Sequence, residues 1–316
     1  VVLGCRRLDA AERAAESIRL AHPHAAVSHV GVPLDLNSLS SVRAFAAAFE
    51  QSHGTLHLLV NNAGRNFWGE RAFYSEQGVG GCAQINFLGC FALTSLLAGR
   101  LLGSAPSRVV TVSSVTHRSG TLGLGAARFL RDWSCGTYAD AKLAQVLFAY
   151  ELDRRVSARA VRSVVADPGA VQTGIWANTP LAKPAIKAVM DRLYAPPKEG
   201  AAAVLFACTA DLAAEEAIAE CGTPGSRRFR EAGRLYFARG LFARGPITAD
   251  GWLPGAIWKG AALLASVVDQ PLRRATCGSA GGRVSAVRSS PESYDRLRAR
   301  ELWNAAADAA GLPQEV

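Results

Sequence analysis

The chain has 316 residues, 49% hydrophobic and 19% charged, enough apolar material for one globular domain of generous size. Its formal charge of +9 would suit a polyanion, yet no nucleic-acid-binding motif accompanies it, and the excess reads as a solvated basic surface. The seven cysteines are dispersed without a C-x-x-C and the histidines show no metal spacing, which excludes a disulfide scaffold and a zinc site. Free thiols point to an intracellular, reducing compartment, cytoplasmic or peripheral to an organelle membrane.

The chain opens VVLGCRR, within an apolar run and without a signal or transit pattern. Val1–Gly4 reads as a short buried strand, followed by a helix from Asp9 to Ala21 that Pro23 ends. Ala25–Leu34 reads as a second strand with Asp35 just beyond it. A helix capped by Asn37 or Ser38 runs to about Gln51, with Val42, Phe45 and Phe49 on its inner face. His57–Gly64 is an almost wholly apolar strand ending in a polar glycine turn, and a helix from about Gly78 to Leu102 follows. Ser107–Ser114 and Val161–Gly169 are further strands, with a helix from Tyr138 to about Arg155 between them. Strands alternating with helices, with apolar runs instead of period-two patterning, predict an α/β, doubly wound parallel sheet in three αβα layers. Ligands of such sheets bind beyond the carboxyl ends of the strands. Asp35, Asn61, Ser114 and Pro168 fall there and are expected to line one crevice.

Tyr138 and Lys142 are spaced to share one helix face, one turn apart. A free phenol has a pKa near about 10. A neighbouring ammonium favours the phenolate and is expected to bring Tyr138 toward the working range of an acid–base group. A serine hydroxyl at the preceding strand end would hold a carbonyl or alcohol oxygen beside it.

NNAG (Asn61–Gly64), INFLG (Ile85–Gly89), VTVSS (Val110–Ser114), YADAK (Tyr138–Lys142) and DPGAVQT (Asp167–Thr173) stand in one order. In that order and spacing the chain resembles the short-chain dehydrogenase/reductase superfamily, over residues 1–237 and again from about Ser290. The resemblance implies a Rossmann-like fold and hydride transfer between a nicotinamide and a carbonyl or alcohol. It gives Tyr138 the acid–base role and Ser114 the substrate oxygen. Lys142 would assist Tyr138 and hold the nicotinamide ribose, and Asn86 would position a water in the proton relay. It also places Asp35 with Leu36 at the adenine, and Asn61, Ala63 and Gly64 under the adenosine ribose. Pro168, Gly169 and Thr173 would contact the nicotinamide. In such folds an acid after the second strand binds the ribose 2′-hydroxyl and a base accepts a 2′-phosphate. Here G-C-R-R stands there, so Arg6, with Arg7 as a second, favours NADP(H).

The family's T-G-x-x-x-G-x-G phosphate loop and first strand are not among these residues. They are expected upstream of Val1, in a βα unit of roughly 30–40 residues. EGAAAVLFACTA (Glu199–Ala210), GRLYF (Gly233–Phe237), SP (Ser290–Pro291) and RELWNAAADAAGL (Arg300–Leu312) resemble the retinol-dehydrogenase and WW-domain-oxidoreductase group. That likeness implies a small apolar carbonyl or alcohol substrate, such as a retinoid, a steroid or another lipid. One domain is expected, with an insertion at about 238–289. Its stretch 252–268 is too short and broken to span a bilayer and would lie at a membrane interface or over the substrate cleft. Two other readings fit the sequence: a non-catalytic binding module that kept the fold, and a protochlorophyllide-reductase-like enzyme.

Overall fold

The computed structural model describes residues 1–67, 69–123, 125–133, 137–169, 171–176, 194–213, 236–239, 284–287 and 289–316, with 184 and 188. Its centre is a five-stranded sheet in the order β1 (Leu58–Asn61), β2 (Ser107–Val112), β3 (Val161–Asp167), β4 (Tyr236–Arg239), β5 (Val284–Val287). The first four strands run parallel, and β5 closes the sheet antiparallel to β4. β2 and β3 are paired on both edges and nearly all their residues are buried, which is why their Val-rich centres show no period-two alternation.

Helices cover both faces. On one, the Tyr138–Val156 helix is buried along almost its whole length between the sheet and the C-terminal helix Arg296–Ala310. Trp303 of the latter stacks on Phe148 with ring centroids 5.8 Å apart and meets Phe91 edge-on at 5.0 Å. On the other face, Ala207 and Leu212, from the Pro197–Thr209 helix and the turn after it, pack on Val110, Val164 and Ala166. Side chains fix the helix starts: Ser38, Thr137 and Asp295 accept from the backbone N–H three residues on.

Two expected strands are absent. Val1–Gly4 and Ala25–Leu34 lie side by side but form a single parallel bridge, Val2 with Ser28. Gly31 takes a φ of +75° and Pro33 has no N–H to give, so the second segment cannot keep a ladder. The single helix expected from Gly78 to Leu102 is instead helical from Gly81, opens into a π-turn at Gln84–Leu88, and breaks at Leu97. The expected insertion is entered from β4 and left through β5; residues 240–283, including 252–268, lie outside the described residues. Among the described residues no helix is long and apolar enough to cross a membrane.

Candidate active site

The loop after β2 is fastened to the first turn of the Tyr138 helix. Thr137 caps that turn, and its hydroxyl also bonds Asp140 Oδ2. Asp140 Oδ1 accepts from the backbone N–H groups of Thr121, at 2.8 Å, and Leu122, at 3.3 Å. This lashing puts the strand-end serines beside the helix. They separate by task. Ser113 is buried, and its hydroxyl donates to the backbone oxygen of Lys142 at 3.0 Å. Ser114, in extended conformation, accepts from the backbone N–H of Thr116 at 3.3 Å, and its hydroxyl lies close enough to the Tyr138 phenol to favour the phenolate.

Lys142 is 3% exposed. Its Nζ sits 5.4 Å from the centre of the Tyr138 ring and donates to the carbonyl of Val112 and to Gln145 Oε1, each at 2.9 Å. Burial pulls the Lys142 pKa down to about 8, against the opposing pull of Cys90, Asp167 and Cys82. The Tyr138 pKa moves opposite to the sequence expectation. Burial pushes it above its ordinary value, Asp167 and Cys82 add to the rise, and the Ser114 hydroxyl only partly offsets it. The ammonium is turned toward Val112 and Gln145, and desolvation of the phenolate is the largest influence on Tyr138.

Asn86 lies in the π-turn with no exposure. Its side chain accepts from the N–H of Arg65 at 2.8 Å and donates to the carbonyls of Arg65, at 2.9 Å, and Cys82, at 3.1 Å. It therefore ties down the NNAG turn. Its backbone carbonyl accepts the Gln145 amide at 2.6 Å.

Asn61 ends β1, buried, and donates to Thr94 Oγ1 at 2.9 Å. Ala63 and Gly64 are exposed. A Cβ on Gly64 would stand 3.0 Å from Asn86 Oδ1 and 3.3 Å from Lys142 Nζ. The turn thus lies against the ammonium with no side chain between, leaving a shelf on which a ribose can lie. Pro168 and Gly169 follow β3, where Gly169, at φ +75°, donates to Asp167 Oδ1 at 2.9 Å, and Thr173 is exposed. Asp35 forms an Asx turn, accepting from Asn37 N–H at 2.9 Å. Leu36 is buried, and its carbonyl accepts from Gln84. Arg6 is exposed and makes no side-chain hydrogen bond among the described residues. Arg7 pairs with Asp9 through a 2.7 Å and a 3.1 Å hydrogen bond.

Three residues outside the sequence-derived set touch this centre. Gln145 bridges Lys142 and Asn86. Asp167 acts electrostatically on Tyr138 and Lys142. His117 Nδ1 bonds the Ser114 carbonyl at 2.7 Å. Gln145 carried a sequence signal in its position three residues beyond Lys142, and Asp167 in opening the DPGAVQT motif at a strand end. Among the described residues no group of His, Cys, Asp and Glu could hold a metal ion.

A profile of the short chain dehydrogenase family matches residues 1–183. The mouse (Mus musculus) polyprenol dehydrogenase is 37% identical over 243 residues, 72% of this chain and 71% of that protein. Human (Homo sapiens) retinol dehydrogenase 14 is 35% identical over 221 residues, 65% of each chain. Bovine (Bos taurus) dehydrogenase/reductase SDR family member 13 is 39% identical over 184 residues, 56% of this chain and 46% of that one. The chain therefore spans about half to seven-tenths of the length of these relatives. A crystal structure of an uncharacterized Mycobacterium paratuberculosis protein superposes with a TM-score of 0.60 at 25% identity, covering 100% of this chain and 85% of that one. With the match extending over more than half its residues, the chain belongs to the short-chain dehydrogenase/reductase family.

Proposed function

We propose that this chain carries the catalytic centre of an NADP(H)-dependent oxidoreductase acting on the carbonyl or alcohol of an apolar, lipid-like substrate. One observation carries the reading. Ser114 follows the carboxyl end of a parallel strand on the side where Tyr138 opens its helix, and the Lys142 ammonium is buried 5.4 Å from the centre of the Tyr138 ring. A bound nicotinamide nucleotide supplies or takes up the hydride. This chain's share is to hold the substrate oxygen and manage its proton. Ser114 O–H donates to that oxygen, and Tyr138 O–H gives it a proton in reduction or, as phenolate, takes one in oxidation. Burial keeps the phenol protonated, the form that serves carbonyl reduction. Lys142 would hold the nicotinamide ribose and the Asn61–Gly64 turn the adenosine ribose, and the exposed Arg6 would bind a 2′-phosphate.

The substrate class draws support from the relatives' names, which specify a polyprenol and a retinol. The test is turnover of retinal, a polyprenal and a steroid ketone with NADPH and with NADH, the Tyr138→Phe protein serving as the blank. NADPH-dependent reduction of an apolar carbonyl that Tyr138→Phe abolishes is the expected result. Turnover that survives the substitution would refute the assignment.

A further inference from the structure

Gln145 is 1% exposed, and its amide is used at both ends. Oε1 accepts from Lys142 Nζ at 2.9 Å, and Nε2 donates to the backbone carbonyl of Asn86 at 2.6 Å. Chemistry fixes the orientation of the amide. An ammonium offers only donors and a carbonyl only lone pairs, so the flipped amide would set donor on donor and acceptor on acceptor. Both partners are equally sealed, Lys142 at 3% exposure and Asn86 at 0%, so water cannot readily replace either bond. The bridge thus joins the Tyr138 helix to the π-turn that pins the NNAG turn.

We infer that Gln145 is the positioning residue for Lys142, fixing the ammonium in place and strengthening its hold on its proton. This rests on the proposed role of Lys142, though the contact itself does not. Among the described residues the Nζ hydrogen bonds go to the Val112 carbonyl and Gln145 Oε1. The ionisable groups that face the ammonium are Tyr138 on its own helix, Cys82 and Cys90 from the opposing helical segment, and Asp167 at the end of β3. None of these supplies a hydrogen bond to Nζ that Gln145 could be exchanged for. An amide also cannot hand a proton on without tautomerising. Gln145 is therefore a clamp on Lys142 and not a carrier between Lys142 and Asn86.

The test is the titration of Lys142 in the cofactor-free protein, followed by 13C NMR of its Cε in lysine-labelled chain. The sequence has five lysines, and Lys142→Met assigns the signal. Gln145→Met keeps the length of the side chain and removes both polar ends, so the proton affinity of Lys142 should fall about tenfold. Gln145→Glu keeps an oxygen on Nζ whether or not it is ionised, so Lys142 should titrate at or above its wild-type pH. The alkaline limb of the turnover profile should follow the Met variant downward. An unmoved Lys142 in the Met variant, or a fall in the Glu variant as large as in Met, would overturn the inference. If Gln145→Glu fails to fold, the Met arm decides alone. A shifted titration in a protein whose turnover ignores Tyr138→Phe would sink the catalytic reading and leave the clamp standing.

Discussion

His117 and Ser290 meet across 173 positions of sequence, the backbone N–H of Ser290 donating to His117 Nε2 at 3.0 Å. On the other side of the ring, Nδ1 stands 2.7 Å from the Ser114 carbonyl. One nitrogen accepts and the other must donate, so the ring is the neutral Nδ1–H tautomer. It is fully buried, and burial, with Arg118 adding, depresses its pKa to about 3 despite the bond to Ser114. The folded-state pKa is therefore below the unfolded value of about 6.5. The unfolded chain binds the extra proton, so this contribution to stability is complete above about pH 6.5 and is lost as the pH falls toward 3. The melting temperature should drop between pH 7 and pH 5. His117→Gln should melt lower at pH 7 and show a shallower acid slope. Parallel slopes in the two proteins would show that another group carries the acid sensitivity.

Tyr138→Phe removes the proposed acid and leaves the ring packing in place. NADPH binding, read by fluorescence titration, should be nearly unchanged. Turnover should fall by about 10²–10⁴-fold, the range usual for a general acid–base group. Ser113→Ala should cost stability instead, because its hydroxyl serves the Lys142 carbonyl and not the phenol. Loss of turnover in the Ser113 variant at unchanged melting temperature would mean that the two serines had been assigned the wrong way round.

The strands that position this site were legible because they are buried on both faces. β2 and β3 have Val-rich centres, Val109–Val112 and Val164–Ala166, each followed by a polar residue, Ser113 and Asp167. The segment from Ala25 to Leu34 is just as apolar, but Gly31 and Pro33 decide its conformation. The Tyr138–Lys142 pairing was legible from helical spacing, whereas the sign of the Tyr138 pKa change was not. That sign depends on how much water reaches the phenol and where the ammonium points, and both are set by packing. The spacing of Gln145 from Lys142 places the two on one helix face but names no second partner. That partner, Asn86, lies 59 positions away, and no local pattern reveals that the helix is buried all round. His117 was unreadable for the same reason, since the group that uses its second nitrogen comes from beyond residue 283.

Arg6 and Arg7 are adjacent but are not equivalent. Arg7 is held bidentate by Asp9, while Arg6 is exposed with no side-chain hydrogen bond among the described residues. Arg6→Ala should weaken NADPH binding roughly tenfold and leave NADH binding alone, since a charge-assisted bond to phosphate is worth about 1.5–3 kcal/mol. Arg7→Ala should matter less for either nucleotide. Equal losses for NADPH and NADH would place Arg6 away from the 2′-phosphate, and a larger effect at Arg7 would mean that it leaves Asp9 when the nucleotide binds.

Gly120 adopts φ −71° and ψ 148°, a conformation open to any residue, so its lack of a side chain answers to space alone. A Cβ there would stand 2.6 Å from the backbone oxygen of Ala139, 2.9 Å from its carbonyl carbon and 3.0 Å from Leu143 Cβ. Two of those atoms are helix backbone between Tyr138 and Lys142 and cannot turn aside as a side-chain tip would. Gly120→Ala must therefore push the loop off the helix, stretching the bonds from Thr121 and Leu122 to Asp140 and parting Ser114 from Tyr138. Overpacking of this kind costs about 1–3 kcal/mol. The variant should melt lower and lose kcat more than KM, because the serine and the phenol must converge on one oxygen. Gly54→Ala, whose Cβ meets nothing within 4 Å, is the control and should leave both quantities near wild type. A Gly120→Ala protein with wild-type melting and turnover would show that the loop yields freely, and that the lashing through Asp140 does not set the spacing of Ser114 and Tyr138.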